Sequence, residues 1–228
     1  MIGIVTGLAE EADAIAPGLG EAVVVQGIAV RRVEIGRVPV AIACAGIGKV
    51  AAATAATLLA MHFDATLLMV VGTAGALADD VGGAPHWLSG AIQHDYGAAR
   101  PDRFAHYDAG AWPIGPESVT AFKALPQPEG LGFAETVIAS GDCFVECAGR
   151  AATIRDAMGA RLVDMETAAV AQAASILGLP WCAIKASTDE ANADSAGDFH
   201  ANLGATARRA AVAAERAISL IRAQTSAV

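Results

Sequence analysis

The chain is predicted to fold as an α/β protein, because short apolar, β-branched runs alternate with alanine-rich segments of helical period. That is the pattern of a sheet with helices packed on its faces. Two further observations bound the prediction. Of the 228 residues, 54% are hydrophobic and 17% charged, so there is enough apolar surface to offset the entropy of ordering the chain. The length also suits one α/β domain over residues 1–228.

Strands are expected at residues 2–6, 38–45, 66–72, 136–140, 161–163 and 181–186, each short, mostly apolar and flanked by breakers. Residues 23–25 and 29–35 read as a hairpin around Gly27. Helices are expected at residues 10–15, 50–62, 151–158, 166–177 and 203–221. The last puts Leu203, Ala207, Ala210, Ala214, Ile218 and Ile221 on one stripe, as a helix docked on the core requires. Residues 82–115, rich in Pro, Gly and His, read as a long loop covering a site.

Charge and cysteine usage narrow the function. A net charge of −9 repels a phosphate backbone, so the expected partner is a small molecule and not nucleic acid. Cys44, Cys143, Cys147 and Cys182 form no CxxC pair and no zinc-type set, which argues for free thiols in a reducing compartment and for no metal. No basic residue precedes the first apolar run, so a secretory leader is not expected, and the apolar stretch 65–78 is too short to span a bilayer. These readings point to the cytoplasm.

Five motifs stand at strand ends. Gly46-Ile47-Gly48-Lys49-Val50-Ala51 fits the loose GxGxxA pattern, yet lacks the acid after the next strand and the Ser or Thr of a Walker loop. It reads as a tight turn bringing backbone close to a ligand. Gly72-Thr73-Ala74-Gly75-Ala76 reads either as a turn exposing N–H groups and a hydroxyl or as tight packing. In Val163-Asp164-Met165-Glu166, Glu166 is expected in a first helical turn, where the macrodipole favours its ionised form. Lys185-Ala186-Ser187-Thr188-Asp189 interrupts an apolar strand with polar groups, and Glu10-Glu11, taken alone, reads as an exposed helix start. Cys143 and Cys147 read as buried thiols, and His94-Asp95 as a loop turn with a satisfied histidine.

Taken in order with Ser140-Gly141-Asp142-Cys143-Phe144, these motifs resemble the purine and uridine phosphorylase superfamily over nearly the whole chain. Within it, the likeness is greatest to the 5′-methylthioadenosine/S-adenosylhomocysteine nucleosidases. The resemblance implies a central mixed sheet flanked by helices, a homodimer, no cofactor, and hydrolysis of a purine nucleoside. It implies that Glu11 activates water, Glu166 holds the ribose hydroxyls, Met165 lies under the sugar and Asp189 protonates N7 of adenine. Phe144 would stack on the base, backbone at Val145 would read its edge, Thr73 would help hold the water and Ile47 would line the ribose or 5′ side. Thr188 and Lys185 would complete the binding set.

An acid meeting the leaving base and a separate carboxylate near the water follow the two-carboxylate logic of glycoside cleavage. Two departures stand out. Lys185 replaces the arginine usual in the family, losing its planar fork. The segment 96–110 carries Arg100, Arg103 and His106 where the nucleosidases are apolar, so a polar 5′ group is expected to be tolerated. A purine nucleoside phosphorylase is the rival, disfavoured because Leu67-Leu68-Met69-Val70-Val71 brings no cation to Gly72. A nucleosidase for futalosine or a hopanoid-linked adenosine, and a nucleoside-binding protein without catalysis, remain open.

Overall fold

A computed structural model describes residues 1–18 and 22–225. From the N-terminus the elements are β1 (Ile2–Thr6), α1 (Ala9–Ile15), β2 (Val23–Val25), β3 (Ile28–Ile35), β4 (Val38–Cys44), α2 (Lys49–His62), β5 (Leu67–Ala76) and β6 (Pro85–Gln93). They continue with β7 (Gly97–Ala99), β8 (Phe104–His106), β9 (Phe122–Lys123), β10 (Ala134–Ser140), α3 (Ala148–Met158), β11 (Leu162–Asp164), α4 (Thr167–Leu177), β12 (Trp181–Asp189) and α5 (Ser195–Thr225).

The α/β class and the mixed sheet hold. Strand order is β11-β10-β6-β12-β5-β1-β4-β3-β2, with β9 on the side of β6 and β7-β8 a separate hairpin. β1, β4, β5 and β12 run parallel, and their side chains alternate between two apolar layers. Ile2, Ile4, Leu67, Met69 and Val71 face α1 and α5, whereas Val5, Leu68 and Val70 face α2 and α4. β11 also pairs antiparallel with β5, Leu162 opposite Ala76 and Val163 opposite Gly75, so five strands close into a ring. The closure draws the carboxyl ends of β5, β10, β11 and β12 together, the position where α/β sheets bind ligands.

The structure corrects several boundaries. Residues 85–93, expected in a loop, form β6 near the middle of the sheet, with Trp87, Leu88 and Ala91 buried. Pro85 stands at its first position, where a missing donor is tolerated, and Gly90 lies at a register shift against β10, so residues that look like breakers mark a bulged strand. β5 and β12 run on to Ala76 and Asp189, so Gly72-Thr73-Ala74-Gly75 is strand, not turn. α5 begins at Ser195, eight residues earlier than its apolar stripe suggests, because Ser195 and Asn192 close the preceding turn on each other. Among the described residues no helix is long and apolar enough to cross a membrane.

Candidate active site

Loops at these carboxyl ends surround a cavity of about 430 Å³, and Glu11, Asp164, Glu166 and Asp189 all line it. Each carboxylate is placed by a different local device.

Glu11 sits at the third position of α1, where a carboxylate reaches back to the orphan N–H groups of a helix start. Its Oε2 accepts from the Gly7 N–H at 3.1 Å and the Leu8 N–H at 3.2 Å. Unlike exposed Glu10, it is 4% exposed, because its other oxygen crosses to β5. There Oε1 accepts from the Thr73 N–H at 2.7 Å and the Thr73 hydroxyl at 2.9 Å. Gly72 makes the crossing possible: a Cβ at that position would collide with the Glu11 carboxylate.

Glu166 is freed from the usual duty of a helix-start acid. It lies at the N-cap of α4, one residue before the helix, and Asp164 does the capping. The Thr167 N–H and hydroxyl donate to Asp164 Oδ2 at 3.1 and 2.5 Å, and the Ala168 N–H donates to Ser140 Oγ at 2.9 Å. Glu166 Oε1 instead accepts from the Gly48 N–H at 3.1 Å, in the turn where Gly46 and Gly48 hold φ of 85° and 104°. That turn does bring backbone to the site, and it leaves Ile47 58% exposed on the cavity wall. The expected ionising effect of the helix is outweighed. Burial, with Asp164 and Glu11 adding to it, pushes the Glu166 carboxyl up to about 7 in spite of Lys185 and the Gly48 N–H.

Lys185 was expected to touch substrate, but it does not line the cavity. It lies behind the wall, 1% exposed, with its ammonium 3.0 Å from Asp164 Oδ2, 3.9 Å from Glu166 Oε2 and donating to the Thr73 carbonyl at 3.2 Å. Burial works against its charge, yet Asp164, Glu11 and Glu166 hold its pKa above the usual lysine value. Asp189 is fixed by the Ala191 N–H, which donates to Oδ1 at 3.0 Å. The Thr188 hydroxyl lies 2.8 Å from Asp189 Oδ2 and 3.2 Å from the Ala74 carbonyl, so its single proton has two acceptors.

Thr73, Phe144, Val145, Met165 and Thr188 also line the cavity, as expected. Sequence reasoning missed Leu8, Phe199 and His200, which line it as well. The last two lie in the first turns of α5, ahead of the expected helix start; an aromatic pair ten residues after Asp189 was the available signal. Phe199 meets Phe144 edge to face at 5.9 Å.

Other expectations fail. None of Arg100, Arg103 and His106 lines the cavity: Arg100 donates to the Tyr107 hydroxyl at 3.1 Å, Arg103 pairs with Glu117, and the His106 N–H donates to Glu117. His94 is not satisfied. It is fully buried with both ring nitrogens unpartnered, and burial lowers its pKa. Cys143 and Cys147 are exposed, and partial burial still raises the Cys143 thiol, so it is no ready nucleophile. Among the described residues lining the cavity there is no lysine or arginine.

Two outcomes follow from this geometry. Gly72→Ala should displace Glu11 and lower kcat/KM by about a hundredfold or more, the scale of an ångström-size misplacement, with native circular dichroism retained; near-parental turnover would show that Glu11 tolerates the shift. A carboxyl whose folded pKa, about 7, exceeds its ordinary 4.5 contributes stability that is intact below 4.5 and is lost as pH rises through 7. Glu166→Gln removes that loss, so its stability relative to the parent should grow by roughly 3 kcal/mol between pH 4.5 and 8 in denaturant titrations. A difference independent of pH would place the Glu166 titration elsewhere.

The chain is also similar to known proteins. The family model for the phosphorylase superfamily matches residues 1–222. A 5′-methylthioadenosine/S-adenosylhomocysteine nucleosidase of Mycobacterium bovis is 29% identical over 198 residues, covering 75% of this chain and 78% of that protein. A nucleosidase of the same name from S. pneumoniae, solved with a transition-state inhibitor, superposes with a TM-score of 0.81 at 27% identity, covering 96% and 99% of the two chains. Futalosine hydrolase of Helicobacter pylori superposes with a TM-score of 0.80 at 25% identity, covering 97% of each. With a matched region running from Met1 almost to the end of α5, the chain belongs to the phosphorylase superfamily.

Proposed function

We propose that the chain hydrolyses the N-glycosidic bond of a 5′-modified adenosine, 5′-methylthioadenosine or S-adenosylhomocysteine, releasing adenine. One observation carries the reading: four carboxylates line a cavity that has no lysine or arginine among its described residues, beside the Phe144–Phe199 pair. A surplus of negative charge suits a sugar that becomes cationic as the bond to the base breaks. It does not suit phosphate, which needs cations or a ring of N–H donors, and this separates hydrolysis from phosphorolysis.

In this reading Asp189 delivers a proton to N7 as electrons move onto the base, and Glu11 takes a proton from the water that attacks C1′. Glu166 accepts hydrogen bonds from the ribose hydroxyls, which strengthen as positive charge grows on the ring. Met165 lies under the sugar, Phe144 stacks on adenine and backbone at Val145 reads its edge. Thr73 and Thr188 orient the two catalytic carboxylates. Lys185 acts from behind the wall by offsetting part of the charge of Asp164, Glu166 and Glu11. Since Arg100, Arg103 and His106 are engaged elsewhere, the 5′ substituent is left to apolar groups such as Ile47 and Leu8, which favours an alkylthio group.

We place the enzyme in the cytoplasm, in keeping with its four free thiols. We also take it to be a homodimer, which would cover Val50, Trp112 and Ile114, exposed by 80%, 77% and 66%.

A chromatographic assay of base release from methylthioadenosine, S-adenosylhomocysteine, adenosine and futalosine, with and without phosphate, tests the reading. Free adenine and a ribose still carrying its 5-thio substituent should appear from the first two at rates unaffected by phosphate; the 1-phosphate of that sugar would make the chain a phosphorylase, and release from futalosine alone would reassign the substrate. Asp189→Asn keeps the shape but carries no proton for N7, and should lower kcat by roughly a hundredfold to ten-thousandfold. Near-normal turnover would remove Asp189 from the mechanism.

A further inference from the structure

The two walls of the cavity are tied together by a closed ring of charged contacts outside it. Lys49 opens α2 directly after the turn that carries Ile47. Asp95 follows β6, and Asp142 follows β10 in the loop that carries Phe144 and Val145. The Lys49 ammonium lies 2.7 Å from Asp95 Oδ1, Asp95 Oδ2 accepts the Asp142 N–H at 2.8 Å, and Asp142 Oδ1 accepts the Lys49 N–H at 2.8 Å. Three segments far apart in sequence thus close on one another within three bonds.

Each member has a reason to be there. The Gly48 N-cap brings no side chain, so the first N–H groups of α2 need outside acceptors; Glu166 and Asp142 supply them. A lysine in a first helical turn opposes the macrodipole, and Asp95 offsets it. Gln93 Oε1 accepts from the same ammonium at 3.2 Å and is itself anchored through Gln172 at 2.7 Å. Gly141 lets the loop come down on His94, which a Cβ would strike. Lys49 and Asp95 are 19% and 25% exposed, so the pair is shielded enough to hold its geometry.

We infer that Lys49, Asp95 and Asp142 are positioning residues that set the gap between the Ile47 wall and the Phe144 wall, and so the affinity for the adenine base. This rests on the reading of Phe144 as the stacking residue. The ring touches neither Glu11 nor Asp189, so breaking it should act on binding and leave the chemical step nearly intact.

Asp95→Asn is the selective variant, because an amide can keep only one of the two contacts: its NH₂ must face either the Lys49 ammonium or the Asp142 N–H. The experiment measures adenine affinity by calorimetry, together with KM, kcat and unfolding temperature, for the parent, Asp95→Asn, Phe144→Ala and the double variant. Adenine Kd and KM should rise by about tenfold in Asp95→Asn with kcat nearly unchanged, and the rise should largely vanish in the Phe144→Ala background, the non-additivity expected of coupled residues. Lys49→Met, which breaks the ring at a second point, should repeat the rise in KM. Additive losses in the cycle, or a loss confined to kcat or to unfolding temperature, would overturn the inference. If Phe144→Ala alone leaves adenine affinity unchanged, the stacking reading falls separately, and the ring is then judged by Asp95→Asn alone: an unchanged KM overturns it.

Discussion

Carboxylates gathered in one cleft and largely buried repel one another, and the buried ammonium of Lys185 is what allows the strand ends that carry them to converge. It lies against Asp164 and Glu166 and holds the carbonyl of Thr73, the residue whose N–H and hydroxyl fix Glu11. One cation therefore connects β5, β11, the start of α4 and β12. Removing one partner of such a buried set typically destabilises a protein by about 3–5 kcal/mol, because charges are left uncompensated. An ammonium is a point charge and lacks the planar fork of an arginine. Here it lies closest to the short Asp164, and burial, helped by the neighbouring carboxylates, keeps the Glu166 carboxyl above its ordinary range in spite of it.

Around that cation, helix ends are satisfied by exchange. Asp164 and Ser140 cap α4, so Glu166 is released to the N-terminus of α2, which lacks a capping side chain of its own. Glu11 serves its own helix with one oxygen and β5 with the other. The site carboxylates are thus structural and chemical at once: hydrogen bonds that any α/β fold must make are made by groups aimed into a cavity.

Much of this was legible in the sequence, for identifiable reasons. The parallel strands are buried on both faces and read as continuous apolar runs, so β1, β4 and the cores of β5 and β12 were visible. Glu11, Glu166 and Asp189 stood out only because their motifs follow one another in a recognisable order; Glu10-Glu11 alone does not say which acid turns inward. What stayed hidden was set by tertiary contacts. β6 is disguised by Pro85, Ser89 and Gly90, which a bulged central strand accommodates. The first turns of α5 resemble a loop, and Phe199 and His200 were lost with them. Arg100 and Arg103 looked like a 5′ pocket until the β7-β8 hairpin turned them toward Tyr107 and Glu117. Lys185 was noticed as a departure, but its place behind the wall follows from the pleat of β12 and not from its identity.

The position of β12 has a consequence for how the molecule is made. The last strand in sequence, it lies at the middle of the sheet, parallel to β5 on one side and antiparallel to β6 on the other, and it ends in Asp189. During synthesis the first 180 residues therefore emerge with β5 and β6 facing each other across an open slot and linked on the far side through the short β5–β11 pairing, a state prone to wrong pairing and slow to resolve because the filling contacts are distant in sequence. The same late strand that fills the slot brings Lys185 and Asp189 with it. An incompletely made chain accordingly has neither a closed ring of strands nor a working cleft, and assembly of the fold and acquisition of the chemistry become a single event.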